Sequence, residues 1–182
     1  MEAITILSGQ IEKLRRAEIP GLRMVRPEGV HLTLKFLGEI SQEKILSIQR
    51  ILEQLAEKTP AFSLQLSQAG VFPSTNPALV LWIGVAGDLT ALQGLQMSID
   101  SFLDPIGFAS TNSHKTFQPH LTVARFNQRP KKMDRHRCAD LHLSSWDPPD
   151  ISFTVDLISL MRSHLQIGGA RYQTVAEVSL NG

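Results

Sequence analysis

Apolar residues recur at helical spacing in three segments of the chain. Residues 3–16 carry an apolar residue every three or four positions, which predicts an amphipathic helix. Ser41 precedes a second such segment and is a suitable N-cap residue, and Asp88 can cap a third helix that reaches about Leu103. The inward-facing residues of this third helix are predicted to be Leu92, Leu95, Ile99 and Phe102.

Alternation of apolar and polar residues with a period of two predicts strands elsewhere. Residues 22–29 ("LRMVRPEG") predict a short strand that ends in a turn, and residues 30–38 ("VHLTLKFLG") predict the next strand. Residues 62–72 ("FSLQLSQAGVF") alternate and contain a glycine that can form a bulge. The apolar residues 78–87 predict a central strand, and residues 117–126 ("FQPHLTVARF") predict another.

The last third of the chain begins with a polar segment. Residues 129–150 are irregular and bounded by prolines, so they predict a long loop with one helical turn at most. Residues 151–165 and 171–180 alternate and predict the two strands of a closing hairpin.

The predicted strands at residues 30–38 and 117–126 share a His-x-Thr pattern. Alternation places His31, Thr33 and Lys35 on one face of the first strand. The opposite face, which is expected to pack inward, carries Leu32, Leu34 and Phe36. His120 and Thr122 repeat the pattern in the second strand. The repeat indicates an internal duplication, in which two lobes related by a pseudo-twofold axis face each other across a cleft.

Two histidines beside two threonines suit acid–base catalysis of phosphoryl displacement. One imidazole can take a proton from the attacking water while the other protonates the departing oxygen. Each threonine hydroxyl can donate a hydrogen bond to a non-bridging phosphate oxygen. This chemistry needs no metal. The nearby His136, Cys138 and His142 lack a second thiolate or a carboxylate pair, so no zinc site is predicted.

Length, composition and net charge limit the classes of protein to which the chain can belong. The 182 residues, 42% of them apolar, suffice for one domain that folds without metal or disulfide. A single cysteine and no apolar run long enough to span a bilayer favour a cytoplasmic protein without membrane contact. A net charge of +1 argues against a protein that wraps a long duplex. The basic residues 129–137 are either a solvated loop or a nucleic-acid contact.

Four segments resemble the two-histidine phosphoesterases, and within them the bacterial and archaeal RNA 2',3'-cyclic phosphodiesterases, also called 2'-5' RNA ligases. These segments are "VRPEGVHLTLKFLGEI", "AGVFPSTNPALVLWIGV", "FQPHLTVARF" and "SLMRSHLQIGGARYQTVAEV". The resemblance implies an α+β fold of two lobes, each an antiparallel sheet backed by helices, with both His-x-Thr-x motifs facing a central cleft. It covers most of the chain.

The resemblance also implies roles for individual residues. His31 would be the proton donor and His120 the acceptor that activates water, without metal or cofactor. Hydrolysis would open a 2',3'-cyclic phosphate at an RNA end, such as that of a tRNA fragment, or on a small cyclic nucleotide, to a 2'-phosphomonoester. Arg125 would hold phosphate; strict alternation turns it away from His120, so reaching the cleft requires a bulge or the end of the strand. Lys35 is a further predicted substrate-binding residue.

The chain departs from the family pattern at its start. Met1 stands at about the beginning of the family's first helix, so residues 1–182 are expected to form a single two-lobed domain without the family's first strand. Met24 stands where a Trp is common.

Other functions remain open at this point. Another small substrate, such as an ADP-ribose cyclic phosphate or a 2'-5' oligonucleotide, would use the same four motif residues. Ligation would be hydrolysis in reverse, since no ATP-binding motif is present. A noncatalytic module that binds RNA ends is the alternative from a different class, and the oligomeric state is left undefined.

Overall fold

A computed structural model of the chain describes residues 2–73, 79–109, 117–126, 131–147, 149–166 and 169–182. Its helices are α1 (Glu2–Arg16), α2 (Gln42–Ala56), α3 (Leu89–Leu103) and α4 (Lys132–Ser144). Its strands are β1 (Leu22–Met24), β2 (Phe62–Pro73), β3 (Leu79–Gly87), β4 (His120–Phe126), β5 (Ser152–Val155), β6 (Leu157–Gln166) and β7 (Gly169–Ser179).

The strands form two antiparallel sheets. The larger sheet has the order β1-β4-β3-β2-β5, and the smaller sheet pairs β6 with β7. The apolar strand β3 is central, as predicted, because both of its edges are paired. The α+β fold with two antiparallel sheets backed by helices is confirmed.

The helices cover these sheets with apolar side chains. Helices α1 and α4 contact each other and the larger sheet, whereas α2 contacts α3 and the smaller sheet. The core joins buried side chains from all four helices and from both sheets. Over the described residues, no helix is both long and apolar enough to cross a membrane.

The prediction of a strand at residues 30–38 is wrong. Only Leu32 makes a strand-like contact, an isolated antiparallel bridge to Leu121. Over the described part of the chain, residues 34–40 have no backbone hydrogen bond to another segment, so alternation alone does not make them a strand. Phe36, expected to pack inward, is 82% exposed.

Three other predictions need correction. Residues 129–150 were expected to form a loop, but Lys132–Ser144 forms α4. Cys138 and His142 lie on the buried side of this helix. Residues 129–130 lie outside the described residues. The expected single strand 151–165 is divided at Asp156 into β5, which pairs with β2, and β6, which pairs with β7. Phe102 is exposed, and the neighbouring Leu103 is buried in its place.

His142 joins α1, α4 and the central strand through a buried hydrogen-bond network. The Gln10 amide donates to Nδ1 of His142 at 3.0 Å, so Nε2 carries the proton and donates to the Trp82 carbonyl at 2.9 Å. Burial lowers the pKa of His142, while backbone hydrogen bonds at Trp82 and Gly70 partly oppose that shift. The imidazole is therefore held neutral in the folded protein.

We expect His142 to make the free energy of unfolding depend on pH. An unfolded histidine binds a proton near pH 6.5, whereas folded His142 binds one only at lower pH. Stability should therefore fall as the pH drops below about 6.5, by at most about 1.4 kcal/mol per pH unit. Urea unfolding between pH 5 and 8 should show this fall, and His142→Gln should reduce it.

His164→Gln is the matched control, because His164 is exposed on β6. An unchanged pH dependence in His142→Gln, or an equal change in His164→Gln, would assign the effect to another group.

Candidate active site

Both motif histidines are held in the same way by their own backbone. His31 follows a short 3₁₀ turn, and its Nδ1 lies 2.8 Å from the Gly29 carbonyl oxygen. His120 begins β4, and its Nδ1 lies 2.7 Å from the Gln118 carbonyl oxygen. A carbonyl oxygen can only accept, so Nδ1 is the donor in each ring. Nε2 is therefore the nitrogen of each imidazole that can exchange a proton with a substrate.

The Leu32–Leu121 bridge brings the two motifs side by side. Because this bridge is antiparallel, extending its register by one residue places His31 opposite Thr122 and Thr33 opposite His120. Directly opposite residues have Cβ atoms about 5 Å apart, and diagonal residues about 7 Å apart. The two histidines occupy such a diagonal. In this register each histidine stands opposite the threonine of the other motif.

A bulge in β4 turns Arg125 toward the same site. Leu81 pairs with Ala124 but Trp82 pairs with Thr122, so Val123 is an extra residue in the ladder. The Arg125 guanidinium donates to the Thr122 hydroxyl at 3.2 Å. The bulge that a role for Arg125 requires is therefore present.

Lys35 has a different environment from the other predicted site residues. Its ammonium forms an ion pair with Asp100 on α3, and its side chain is only 9% exposed. Asp100 also accepts a hydrogen bond from Gln96 at 2.6 Å. This ion pair holds residues 31–40 against α3. Lys35 would have to break its ion pair with Asp100 to bind a phosphate.

Aromatic side chains, which the motif analysis missed, pack against both imidazoles. Tyr172 on β7 contacts His31 edge-on, with 4.6 Å between ring centroids. Phe72 on β2 contacts His120 edge-on at 4.9 Å and stacks on Trp82 at 5.0 Å. These contacts restrict the orientation of the imidazole rings. They join residues that lie far apart in the sequence, so no local motif marks them.

Gly70 makes room for this aromatic cluster. It lies opposite Trp82 in the β2–β3 register, and a Cβ atom at Gly70 would lie 2.0 Å from Cζ2 of Trp82. The indole therefore lies across the strand where a side chain would otherwise stand. A glycine inside an alternating strand is the one sequence signal of such a close approach.

We expect Gly70→Ala to displace Trp82 and, through Phe72, to disturb His120. Overpacking of this kind costs about 1–3 kcal/mol, which urea unfolding would detect. The near-UV circular dichroism of the aromatic side chains should change as well. Gly94→Ala on α3 is the matched control, because nothing lies within 4 Å of its added Cβ. Equal spectra and equal stability in the two variants would contradict this packing.

A cavity of about 920 Å³ adjoins the site. Its polar lining includes His31, Thr33, Arg162, Ser163 and Tyr172, whereas most of the rest of the lining is apolar. His31 and Thr33 of the first motif therefore border this cavity.

The residues considered for zinc do not form a metal site. Among the described residues, no group of three or more His, Cys, Asp or Glu side chains is placed to hold a metal ion. His136 is exposed, whereas Cys138 and His142 are buried. Burial raises the pKa of the Cys138 thiol to about 12, which keeps it protonated.

Comparison with known proteins places the chain in a family. The sequence model of the 2'-5' RNA ligase superfamily matches residues 6–166. The chain belongs to this superfamily. An RNA 2',3'-cyclic phosphodiesterase of Aquifex aeolicus is 30% identical over 181 residues, a match that covers 100% of this chain and 93% of the relative. An enzyme of that name from Methanothermobacter thermautotrophicus is 31% identical over 151 residues, or 83% and 78% of the two chains.

Solved structures of this superfamily's fold agree with the architecture. A crystal structure of a Thermus thermophilus protein matches with a TM-score of 0.77 at 24% identity, covering 100% of this chain and 93% of that one. E. coli LigT, crystallised with NADP+, matches with a TM-score of 0.69 at 25% identity, covering 98% and 92%. The likeness supports the assignment of two sheets backed by helices.

Proposed function

We propose that the protein is an enzyme that hydrolyses 2',3'-cyclic phosphodiester ends of RNA to 2'-phosphomonoesters. The observation that carries the proposal is the matched arrangement of His31 and His120. Each imidazole is held through Nδ1 by a backbone carbonyl two residues earlier, and the register extended from the Leu32–Leu121 bridge places the threonine of the other motif opposite it. The names of the Aquifex and Methanothermobacter relatives support this reaction.

The two imidazoles begin the reaction in opposite protonation states. Neutral His120 accepts a proton at Nε2 from a water molecule, whose oxygen forms a bond to phosphorus. The bond from phosphorus to the 3' oxygen breaks, and protonated His31 donates its Nε2 proton to that oxygen. A 2'-phosphate and a 3'-hydroxyl result, and exchange of protons with solvent restores the starting states.

The remaining site residues stabilise negative charge in this scheme. The hydroxyls of Thr33 and Thr122 donate hydrogen bonds to the non-bridging phosphate oxygens, where charge builds up in the transition state. Arg125 adds a positive charge beside Thr122 and sets the direction of its hydroxyl. No step in this scheme uses a metal ion.

The substrate we favour is an RNA end, including the ends of tRNA fragments, in the cytoplasm. Small cyclic nucleotides, an ADP-ribose cyclic phosphate and 2'-5' oligonucleotides present the same reacting group. The same residues could also join a 2',3'-cyclic end to a 5'-hydroxyl end, with the 5' oxygen bonding to phosphorus in place of water while the bond to the 3' oxygen breaks. The test therefore compares these substrates directly.

The decisive experiment incubates the protein with an RNA ending in a 2',3'-cyclic phosphate, in the presence of EDTA, and identifies the product by mass spectrometry and phosphatase sensitivity. We expect a 2'-phosphate at a rate that EDTA does not lower. A 3'-phosphate would contradict the assigned leaving group, and loss of activity restored by a divalent ion would contradict the metal-free scheme. Binding without turnover would favour a module that only recognises RNA ends.

We expect His31→Ala and His120→Ala each to lower kcat by roughly 10² to 10⁴, the usual contribution of a positioned acid or base. Thr33→Ala and Thr122→Ala should have smaller effects. The urea midpoint of each histidine variant should stay close to that of the parent, because both side chains are only partly buried. His164→Ala is the control, since this exposed histidine contacts Gln173 and lies outside the site. Parental turnover in His31→Ala would remove that residue from the reaction.

A further inference from the structure

Two exposed arginines stand directly opposite each other on neighbouring strands of the larger sheet. Arg23 of β1 pairs with Arg125 of β4 in the antiparallel register, and both residues are exposed. Side chains at directly opposed positions project from the same face of a sheet, with Cβ atoms about 5 Å apart. Two guanidinium groups therefore share one small area of the surface.

This arginine pair lies on the same face of the sheet as the second His-x-Thr motif. The bulge in β4 puts Arg125 on the face of Thr122, to whose hydroxyl its guanidinium donates at 3.2 Å. Arg23 shares that face because it is the direct partner of Arg125. The strand neighbours of Arg125, Ala124 and Phe126, are buried on the opposite face. The arginine pair therefore borders the candidate site.

The positive charge of the arginine pair is not neutralised by a neighbouring carboxylate. Among the described residues, neither Arg23 nor Arg125 takes part in an ion pair. Like charges that stand directly opposite each other on a sheet repel. An anion bound between them would remove this repulsion, and each guanidinium can give a phosphate two parallel hydrogen bonds.

Other residues in the same row across the sheet offer an anion nothing. On the far side of Arg125 the row continues through Val80 of β3 to Phe72 of β2, which pair with each other. Both side chains are apolar. An anionic group that lies on this row is therefore directed to the end formed by β1 and β4, where the two arginines stand.

The distance from the motif to the arginine pair suits one nucleotide. Thr122 and Arg125 pair with Trp82 and Val80 of β3, which are two residues apart, or about 7 Å along the strand. The ribose unit between two successive phosphates of RNA can span this distance. A phosphate bound beside Thr122 thus leaves the next phosphate of the same strand within reach of the arginine pair.

We propose that Arg23 and Arg125 form a second anion site, which binds the phosphate on the 5' side of the nucleotide that carries the cyclic phosphate. The inference rests on the proposed function, because the cyclic phosphate beside the second motif fixes the position of that nucleotide. Arg23 then determines specificity. It favours an RNA end over a cyclic nucleotide that has no 5' phosphate.

The test compares three substrates in the parent protein and in Arg23→Ala. Cytidine 2',3'-cyclic phosphate has no upstream phosphate, its 5'-phosphorylated form has one, and adenylyl-(3'-5')-cytidine 2',3'-cyclic phosphate has one within an RNA linkage. The parent should prefer the last two substrates by kcat/KM. In Arg23→Ala this preference should fall about tenfold for both, the usual scale for a lost charged hydrogen bond. The fall should lie in KM, because Arg23 does not contact the reacting phosphorus.

Arg50→Ala is the matched control, because Arg50 is exposed on α2 and its loss changes the net charge equally. It should keep the parental preference. The urea midpoint of Arg23→Ala should not fall, since removal of this exposed side chain ends its repulsion with Arg125. A parental preference in Arg23→Ala, an equal loss in Arg50→Ala, or a loss confined to the dinucleotide would overturn the proposal.

Titration calorimetry with the same three nucleotides separates this proposal from the proposed function. Tighter binding of the two nucleotides with an upstream phosphate, lost in Arg23→Ala but without cleavage of any of the three by the parent, would leave the arginine site standing and contradict the proposed function alone. Cleavage of all three substrates with no effect of the upstream phosphate would contradict the arginine site alone.

Discussion

The antiparallel contact between Leu32 and Leu121 is the constraint on which the candidate site depends. At this point residues 31–40, which form no other strand pairing with the described part of the chain, meet a strand of the larger sheet. Because a strand register fixes neighbours on both sides of a contact, this bridge determines which threonine lies beside which histidine. The carbonyl contacts at Nδ1 then set the direction of each ring. The fold therefore sets the position of each histidine, and the local backbone sets the orientation of its ring.

The parts of the fold that the sequence predicts are those with a strong local pattern. The three predicted helices are confirmed because apolar residues recur at their buried positions, and the apolar strand β3 is central. Helix α4 was missed because its buried side carries Cys138 and the polar His142, which do not give an apolar stripe. The division of β5 from β6 at Asp156 was missed because both halves alternate alike and differ only in their partners.

In the candidate site, too, local patterns are predictable from the sequence and contacts between distant segments are not. The His-x-Thr repeat is visible in the sequence, as is the need for a bulge or a strand end if Arg125 is to reach the cleft. The ion pair of Lys35 with Asp100 and the packing of Phe72 and Tyr172 on the imidazoles join distant segments, so alternation could not predict them. Residues 30–38 alternate as a strand would, but a strand also requires a partner, which lies outside any local pattern.

The matched backbone contacts of His31 and His120 have a consequence for the direction of the proposed chemistry. Each ring uses the same nitrogen whether it gives or takes a proton, so neither has to rotate when the roles are exchanged. By microscopic reversibility, the path by which water opens a cyclic phosphate can be followed backward with the donor and acceptor interchanged. In the forward direction a 5'-hydroxyl of a second RNA can take the place of the attacking water, so that its oxygen bonds to phosphorus as the 3' oxygen leaves, and the reverse path breaks that 2'-5' linkage. The direction is then set by the concentrations of the hydroxyl species and water, and not by the histidines.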